Sequence, residues 1–250
     1  MNMTTGSENV DVKASGPQER LKDCQSIELP KYGNDPVVTQ GGAPVAAALE
    51  AYKSLRARLM NAQERLRIRS VVVTSTTHSE GKTLTAFNLA YCCAQLENTP
   101  VLLIDADLRT AGLTALTGTQ LNFGLRDVLG NVVPYTGAIL ATDVPNLYVM
   151  GAGRGDDSPT ELFSSAAWSQ FIAWAGETFK LVLVDAPPIG IVADMNLIEA
   201  GCQGSLIVVR AHKTTQQALD DALGQVDSKK IIGVVWNEAN RCPEAYTKKT

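Results

Sequence analysis

Three consecutive residues, Gly81, Lys82 and Thr83, stand between an apolar run and a segment whose apolar residues recur at helical spacing. The run at residues 71–74 is Val-Val-Val-Thr, and such β-branched stretches favour a buried strand. A strand, a polar loop and a helix in this order form the context of a phosphate-binding P-loop, because the N–H groups at the helix N-terminus attract anions. In that role the lysine reaches the β- and γ-phosphates and the threonine hydroxyl binds Mg²⁺.

The match to the usual pattern G-x-x-x-x-G-K-[ST] is incomplete, because Thr76 occupies the position of the first glycine. By itself the segment is therefore equally compatible with an ordinary surface turn before a helix. The decision between the two interpretations depends on acidic residues further along the chain.

Three aspartates follow two other apolar runs. Residues 101–104 precede Asp105 and Asp107, and residues 181–184 precede Asp185. Continuous apolar runs of this length are typical of parallel strands buried on both faces, and ligands bind at the carboxyl ends of such strands. Because residues i and i+2 of a strand point the same way, Asp105 and Asp107 could both face one Mg²⁺–phosphate site. Asp185 has the position of a Walker B acid, whereas the alternative for the first two is a solvated strand end.

Further strands and helices alternate along the chain. Strands are predicted at residues 147–150, 205–209 and 231–236, and helices at residues 44–66, 121–130, from 158 onward and at 214–226. This alternation predicts an α/β fold with a doubly wound, mostly parallel sheet flanked by helices, as in P-loop NTPases.

Length and composition indicate one large domain with flanking segments. The 250 residues are 45% hydrophobic and carry a net charge of −4, which does not suggest a nucleic-acid surface. We expect a flexible N-terminal arm at residues 1–43, a P-loop domain at 44–238 and a short C-terminal tail at 239–250. The five cysteines form no CxxC pair, so neither a zinc site nor a disulfide framework is indicated. Because no apolar run approaches the ~18 residues of a membrane span, the expected location is cytoplasmic.

The helix predicted at residues 44–66 carries charged residues at a regular interval. Glu50, Lys53 and Arg56 follow one another at steps of three, while Tyr52, Leu55 and Leu59 fall on another face. On physical grounds alone the charged residues indicate a solvated face with ion pairs between residues i and i+3.

Taken together, these stretches resemble the bacterial tyrosine kinase (BY-kinase) domain of polysaccharide co-polymerase systems, over residues 45–238. That family is a branch of the P-loop ATPases related to MinD and ParA. Residues 75–83 resemble its Walker A pattern S-x-x-x-G-E-G-K-[ST], residues 101–109 its Walker A′ strand V-L-L-I-D-A-D-L-R, and residues 181–188 its Walker B strand with a D-x-P-P end. Residues 158–162 and 233–237 resemble its N-P-x-E-L and G-V-V-x-N segments.

The resemblance implies ATP and Mg²⁺ as cofactors and assigns roles to residues of the site. Lys82, Asp105 and Asp107 would be catalytic, with Asp105 as the base for an incoming tyrosine hydroxyl. Metal contacts would come from Thr83, Asp107 and Asp185. The implied nucleotide contacts are Ser79, Glu80, Gly81, Lys82, Thr83, Leu84 and Asn237.

The resemblance also implies partners and a cellular location. In the family, a helix with the pattern E-x-x-R-x-x-R packs subunits into a ring, and Glu50, Lys53 and Arg56 match it, with a lysine in place of the first arginine. The family phosphorylates tyrosines in the C-terminal tail of a neighbouring subunit, and Tyr246 is the only tyrosine in this tail. A membrane polysaccharide co-polymerase would be the activating partner, which would place the protein peripherally at the inner face of the plasma membrane.

Three functions stay open at this point. The first is a tyrosine autokinase of exopolysaccharide or capsule biosynthesis. The second is a MinD/ParA-like positioning ATPase, which is disfavoured because residues 75–80 lack the extra lysine of those proteins. The third is a non-phosphorylating nucleotide-binding regulator of the same machinery, which the single tail tyrosine favours and the intact Lys82 and aspartates disfavour. Residues His78 and Ser79 replace the commoner Pro-Gly of the loop, so its shape is expected to differ from the family's.

Overall fold

A computed structural model describes residues 17–30, 45–120 and 122–239 of the chain. Within these ranges eight strands form one sheet, in the order β1-β4-β5-β3-β6-β2-β7-β8. The strands are β1 (Gln25–Ile27), β2 (Ser70–Ser75), β3 (Val101–Asp105), β4 (Leu140–Thr142), β5 (Leu147–Met150), β6 (Leu181–Asp185), β7 (Gly204–Arg210) and β8 (Ile231–Asn237). All neighbouring strands are parallel except β4 and β5. The predicted α/β fold with a mostly parallel sheet is confirmed.

Helices connect the strands and cover both faces of the sheet. They are α1 (Pro17–Arg20), α2 (Val45–Leu66), α3 (Lys82–Ala94), α4 (Gly112–Thr117), α5 (Leu125–Leu129), α6 (Tyr135–Ala138), α7 (Pro159–Ser164), α8 (Ala166–Thr178), α9 (Asp194–Gly201) and α10 (Gln216–Leu223). Among the described residues, none of these helices combines the length and apolar character that crossing a membrane requires.

The strands at the centre of the sheet are buried along their whole length. Every residue of β2, β3 and β6 is buried, as their continuous apolar sequences predict. Their side chains alternate between two cores: Val71 and Val73 lie in the core under α3, whereas Val72 lies in the core under α8 and α9. Because β3 and β6 pair in register, Asp105 lies directly beside Asp185 at the edge where both strands end.

The N-terminal arm predicted at residues 1–43 is not an arm throughout. Residues 17–30 contain α1 and β1, and β1 pairs in parallel with β4 at one edge of the sheet. Leu21 is buried against the core under α8, so this segment gains the apolar contacts that its polar sequence did not predict. Residues 1–16 and 31–43 lie outside the described residues, as does most of the predicted tail.

The helix predicted from residue 158 onward is two helices. Ser158 occupies the position before α7 and Pro159 stands in its first turn, although the serine side chain makes no capping hydrogen bond. The chain becomes extended at Ser165 and then starts α8. The aromatic residues Trp168 and Phe171 of α8 are buried in the core, where they pack against other apolar side chains.

Candidate active site

The candidate site lies where β2, β3 and β6 end. The Lys82 side chain, at the first position of α3, reaches across this edge and donates a hydrogen bond from Nζ to Asp107 Oδ2 over 2.9 Å. The same nitrogen lies 4.0 Å from Asp185 Oδ1 and 3.5 Å from Thr83 Oγ1. Four residues from three separate segments, all predicted from the sequence, therefore converge on one point.

The loop before α3 depends on glycine at residue 81. Gly81 has a φ of +90°, in the left-handed region, and a Cβ at this position would overlap the side-chain amide nitrogen of Asn237. Asn237 Nδ2 in turn donates a hydrogen bond to the Glu80 carbonyl over 2.9 Å. The end of β8 thus holds the P-loop in place, and the prediction that Asn237 also contacts a nucleotide stays a prediction.

The Glu80 side chain turns inward and binds the loop itself. Its carboxylate accepts hydrogen bonds from the Thr76 hydroxyl at 2.8 and 2.9 Å and from the Thr77 N–H at 2.9 Å. The Thr214 hydroxyl, which lies after β7, donates to the same carboxylate. The Glu80 side chain is therefore occupied within the protein, and its predicted nucleotide contact stays a prediction.

Asp185 is a buried carboxylate whose oxygens lack hydrogen bonds of normal geometry among the described residues. It has no exposed surface, and neither of its oxygens accepts a hydrogen bond of normal geometry within the described part of the chain. Burial raises the pKa of Asp185 to about 7, and Asp105 adds to the rise while the Lys82 ammonium opposes it. A buried carboxylate of this kind costs free energy unless a cation or a proton joins it.

Asp105 is held by hydrogen bonds from Thr114, a residue of α4. Its Oδ2 accepts hydrogen bonds from the Thr114 N–H at 2.6 Å and from the Thr114 hydroxyl at 2.5 Å, while Oδ1 has no hydrogen-bond partner among the described residues. Burial raises the pKa of Asp105 to about 6, although the two bonds from Thr114 favour the ionised form. The predicted role of Asp105 as a base stays a prediction.

Lys82 and Asp107 hold each other in their charged forms. Burial alone would lower the pKa of Lys82, but the carboxylates of Asp185 and Asp107 outweigh it and the net shift is upward. Burial would raise the pKa of Asp107, but Lys82 and the Thr110 N–H outweigh it and lower that pKa. At neutral pH this part of the site is an ion pair.

The oxygen atoms of the site fit a magnesium ion bound together with phosphate. Mg²⁺ prefers oxygen ligands and is usually held by one or two carboxylates plus substrate phosphates and water. The Thr83 hydroxyl and the Asp185 oxygens, which lack hydrogen bonds of normal geometry among the described residues, are ligands of this kind, with Asp107 beside them. Within residues 17–30, 45–120 and 122–239, no three acidic, histidine or cysteine side chains converge as a metal site of their own. The remaining ligands would therefore have to come from phosphate and water.

Other predicted contacts line the loop or lie outside the described residues. Ser79 and His78 border a cleft of about 300 Å³ between the P-loop and residues 210–218. Leu84 is half-buried in the first turn of α3. Tyr246, the candidate phosphoacceptor, lies beyond the described residues.

The three residues predicted to form a subunit contact lie away from the site, on α2. Lys53 and Glu50 are exposed and form an ion pair of 2.7 Å, as the solvated-face interpretation predicted. Arg56 is half-buried and donates from Nη1 to the Cys92 carbonyl of α3 over 2.8 Å. The prediction that these residues form a subunit contact stays a prediction.

Two threonines that shape the site escaped the sequence analysis. Thr114 holds Asp105 and also accepts a hydrogen bond at its hydroxyl from the Ala152 N–H over 2.8 Å. Thr214 holds Glu80 from a segment 134 residues away. Single threonines in loops and short helices carry no pattern that would have singled them out.

Comparison with known proteins identifies relatives over most of the chain. It is 31% identical over 207 residues to the tyrosine-protein kinase Wzc of Salmonella typhi, which covers 82% of this chain and 29% of Wzc. It is 31% identical to the tyrosine-protein kinase CpsD of Streptococcus agalactiae, covering 70% of this chain and 78% of CpsD. It is 32% identical to the tyrosine-protein kinase YwqD of Bacillus subtilis, covering 78% of this chain and 82% of YwqD. The chain spans less than a third of the length of Wzc.

Solved structures show the same architecture. The kinase domain of the Escherichia coli tyrosine kinase ETK superimposes with a TM-score of 0.75 at 25% identity, covering 88% of this chain and 87% of that domain. MinD of Pyrococcus horikoshii, solved with Mg-ADP, gives a TM-score of 0.58 at 21% identity over 70% of this chain and 72% of that protein, which shows a shared fold. No family model matches the chain. On its relatives, its fold and its convergent P-loop and aspartate residues, the chain belongs to the bacterial tyrosine kinase family.

Proposed function

We propose that this protein is an ATP- and Mg²⁺-dependent tyrosine kinase that phosphorylates tyrosine in its own chain or in a neighbouring copy. The observation that carries the proposal is the convergence of Lys82 with Asp107 and Asp185 at the start of α3, where the Asp185 oxygens have no hydrogen bond of normal geometry among the described residues. Family membership supports it, because the relatives that cover most of this chain are named tyrosine-protein kinases.

Each charged residue of the site has a task in phosphoryl transfer. Lys82 would leave Asp107 and bind the β- and γ-phosphates, so that its positive charge neutralises charge that develops on the leaving group. Thr83, Asp107 and Asp185 would hold Mg²⁺, which when bound supplies additional charge neutralisation on the phosphates. The backbone N–H groups of the P-loop would orient the nucleotide, and positioning of this kind provides much of the rate enhancement.

Asp105 would accept the proton of the incoming tyrosine. Its Oδ1 has no hydrogen-bond partner among the described residues, and a pKa of about 6 leaves it mostly ionised at neutral pH. In the proposed step the tyrosine hydroxyl gives its proton to Asp105, its oxygen bonds to the γ-phosphorus, and the bond from that phosphorus to ADP breaks. The products are phosphotyrosine and ADP, with the proton on Asp105.

We place this activity in exopolysaccharide or capsule biosynthesis, with a membrane polysaccharide co-polymerase as the activating partner. The protein would act in the cytoplasm, at the inner face of the plasma membrane, through that partner. It would assemble as a homo-oligomer, with a ring as the expected arrangement and with Glu50, Lys53 and Arg56 at the subunit contact. The exposed positions of Glu50 and Lys53 on α2 are compatible with such a contact.

The test is incubation of the purified chain with ATP and Mg²⁺, followed by intact mass and mapping of phosphorylated tyrosines. We expect a gain of phosphate at Tyr246 that is absent from Lys82→Met and from Tyr246→Phe. Phosphate on another tyrosine would keep the kinase and move the acceptor. ATP binding or hydrolysis without phosphotyrosine, on the chain or on added acceptor proteins, would contradict the proposal and favour a nucleotide-binding regulator.

A further inference from the structure

The loop that carries Asp107, which we call the A′ loop (residues 106–111), is held by a buried arginine from outside the P-loop. Arg126, in α5, donates from Nη2 to the Leu108 carbonyl over 2.9 Å and from Nη1 to the Asp157 carbonyl over 2.6 Å. Leu108 directly follows Asp107, so one end of this connection lies on the peptide next to the predicted metal ligand. The other end lies at Asp157, two residues before the start of α7.

A second connection runs from the same loop to the same segment. Arg109 donates from Nε to Asp194 Oδ2 over 2.8 Å, and the Thr160 hydroxyl donates to Asp194 Oδ1 over 2.5 Å. Asp194 is buried at the start of α9. Each of its two carboxylate oxygens accepts a hydrogen bond from one of these residues. Thr160 lies in the first turn of α7, three residues after Asp157.

Burying charged groups such as the Arg126 guanidinium costs free energy, which a purely structural role would not require. A buried guanidinium loses much of its hydration, and replacing buried charged groups by apolar ones is often neutral or stabilising. Arg126 nevertheless donates from both terminal nitrogens to backbone carbonyls. These are the carbonyls of Leu108, 18 residues away in sequence, and of Asp157, 31 residues away. Such rigid, directional bonds fix the path of a loop more strictly than apolar packing does.

We infer that Arg126, Arg109, Asp194 and Thr160 are positioning residues that fix Asp107 for the binding of Mg²⁺-ATP. None of them was assigned a role from the sequence, and they act through the A′ loop rather than on the nucleotide. The inference rests on the proposed function only in that the site binds Mg²⁺ together with ATP. Groups that orient metal ligands in this way typically change metal affinity or activity by about 10- to 100-fold when removed.

The experiment is a fluorescence titration of each variant with a labelled ATP analogue, once with Mg²⁺ and once with EDTA, accompanied by thermal unfolding. For Thr160→Val and Arg126→Lys we expect the Mg²⁺-dependent affinity to fall about tenfold, while the affinity in EDTA stays within about twofold. Thr160→Ser keeps the hydroxyl and should restore the wild-type affinity. Arg154→Lys is the matched control, because Arg154 also donates to a loop carbonyl, that of Gln120, but does not contact the A′ loop.

Two results would overturn the inference. One is an equal loss of affinity with Mg²⁺ and with EDTA, which would make the residues purely structural. The other is wild-type behaviour of Thr160→Val, which tests the second connection even if Arg126→Lys does not fold. A wild type that binds Mg²⁺-ATP without forming phosphotyrosine would remove the proposed kinase and leave this test intact, whereas a wild type that binds no nucleotide would overturn both.

Discussion

Two buried carboxylates of the site, Glu80 and Asp185, differ in their hydrogen bonding. Glu80, in the P-loop, accepts hydrogen bonds from Thr76, Thr77 and Thr214. Asp185, at the end of β6, accepts none of normal geometry within the described residues, and its pKa is raised by burial to about 7. Both side chains are almost fully enclosed, so exposure to solvent does not explain the difference.

Glu80 thus stabilises the P-loop, whereas Asp185 is a residue for which we propose a role in metal binding. A carboxylate with several donors contributes to stability, and removing it leaves those donors unsatisfied. A carboxylate without donors costs stability, and proteins keep such groups where function requires them. Burial alone would not have separated the two cases, because the hydrogen-bond partners carry the distinction.

The largest effect is expected from Asp185→Asn. We expect phosphoryl transfer to fall by at least about 100-fold, because an amide is a poor substitute for a carboxylate toward Mg²⁺. Stability of the nucleotide-free protein should stay equal or rise by about 1 kcal/mol, since the substitution removes a buried charge without hydrogen bonds of normal geometry and Lys82 keeps its ion pair with Asp107. Rates with saturating ATP and urea unfolding measure the two quantities. A clear loss of stability would show that Asp185 is already satisfied in the free protein.

Glu80→Ala should behave in the opposite way. We expect the free energy of unfolding to fall by about 1–3 kcal/mol, because three donors from two segments lose their acceptor. Loss of affinity for ATP would follow from the distorted loop. Glu97→Ala, which removes an exposed carboxylate after α3, is the control and should change stability by less than about 0.5 kcal/mol. Equal stability of the two variants would contradict the structural role of Glu80.

The pH dependence of stability gives a third test. The raised pKa values of Asp105, about 6, and Asp185, about 7, mean that the folded chain keeps protons that the unfolded chain has released above its ordinary pKa near 3.8. These protons stabilise the fold, so their contribution is greatest below about pH 4 and is lost as pH rises to about 7. The slope is at most about 1.4 kcal/mol per pH unit for each proton.

Comparison with Asp185→Asn isolates this contribution from all other titrations. Urea unfolding of both proteins without nucleotide, at about pH 5.5 and about pH 8, should show a smaller decrease with pH in the variant. Mg²⁺ binding requires the ionised carboxylates, so metal-dependent affinity for ATP should rise over the same interval. Parallel pH curves for wild type and variant would show that Asp185 does not hold a proton.

The smallest expected effect concerns the contact that supports the P-loop from β8. Gly81→Ala introduces a Cβ that overlaps the Asn237 amide, and also a strained φ. Asn237→Ala removes the overlapping group together with its bond to the Glu80 carbonyl. In the double variant we expect part of the cost of Gly81→Ala to disappear, with a coupling of about 1 kcal/mol by urea unfolding. Strict additivity would show that the φ strain alone requires glycine.

The sequence predicted those parts of the site that are continuous along the chain. Lys82 and Thr83 follow a β-branched strand, and Asp105, Asp107 and Asp185 follow apolar ones, so each signal lies within one short continuous segment, the longest being residues 71–83. Parallel strands end at a common edge, which is why separate motifs could be assigned to one place. The central strands were predictable for the same reason, because burial on both faces gives an uninterrupted apolar run.

The remaining parts depend on contacts between distant segments of polar residues. The polar sequence of β1 predicts an arm rather than a strand. It forms a strand because it pairs with β4, which lies 115 residues later in the chain. Arg126 resembles any charged residue of a short helix until its contacts with Leu108 and Asp157 are known. Nothing local distinguishes these residues from solvated ones, so tertiary structure decides their role.

The ion pair between Lys82 and Asp107 means that any phosphate or metal ion bound by one of these residues would have to separate it from the other. If phosphate alone bound Lys82, the buried Asp107 carboxylate would lose its ion-pair partner. If a metal ion alone bound Asp107, Lys82 would lose this partner in the same way. Under the proposed function, a metal–nucleotide complex would give Lys82 a phosphate and Asp107 a metal ion at the same time, so neither charge would lose its partner. The ion pair would therefore favour that complex over free phosphate or free metal.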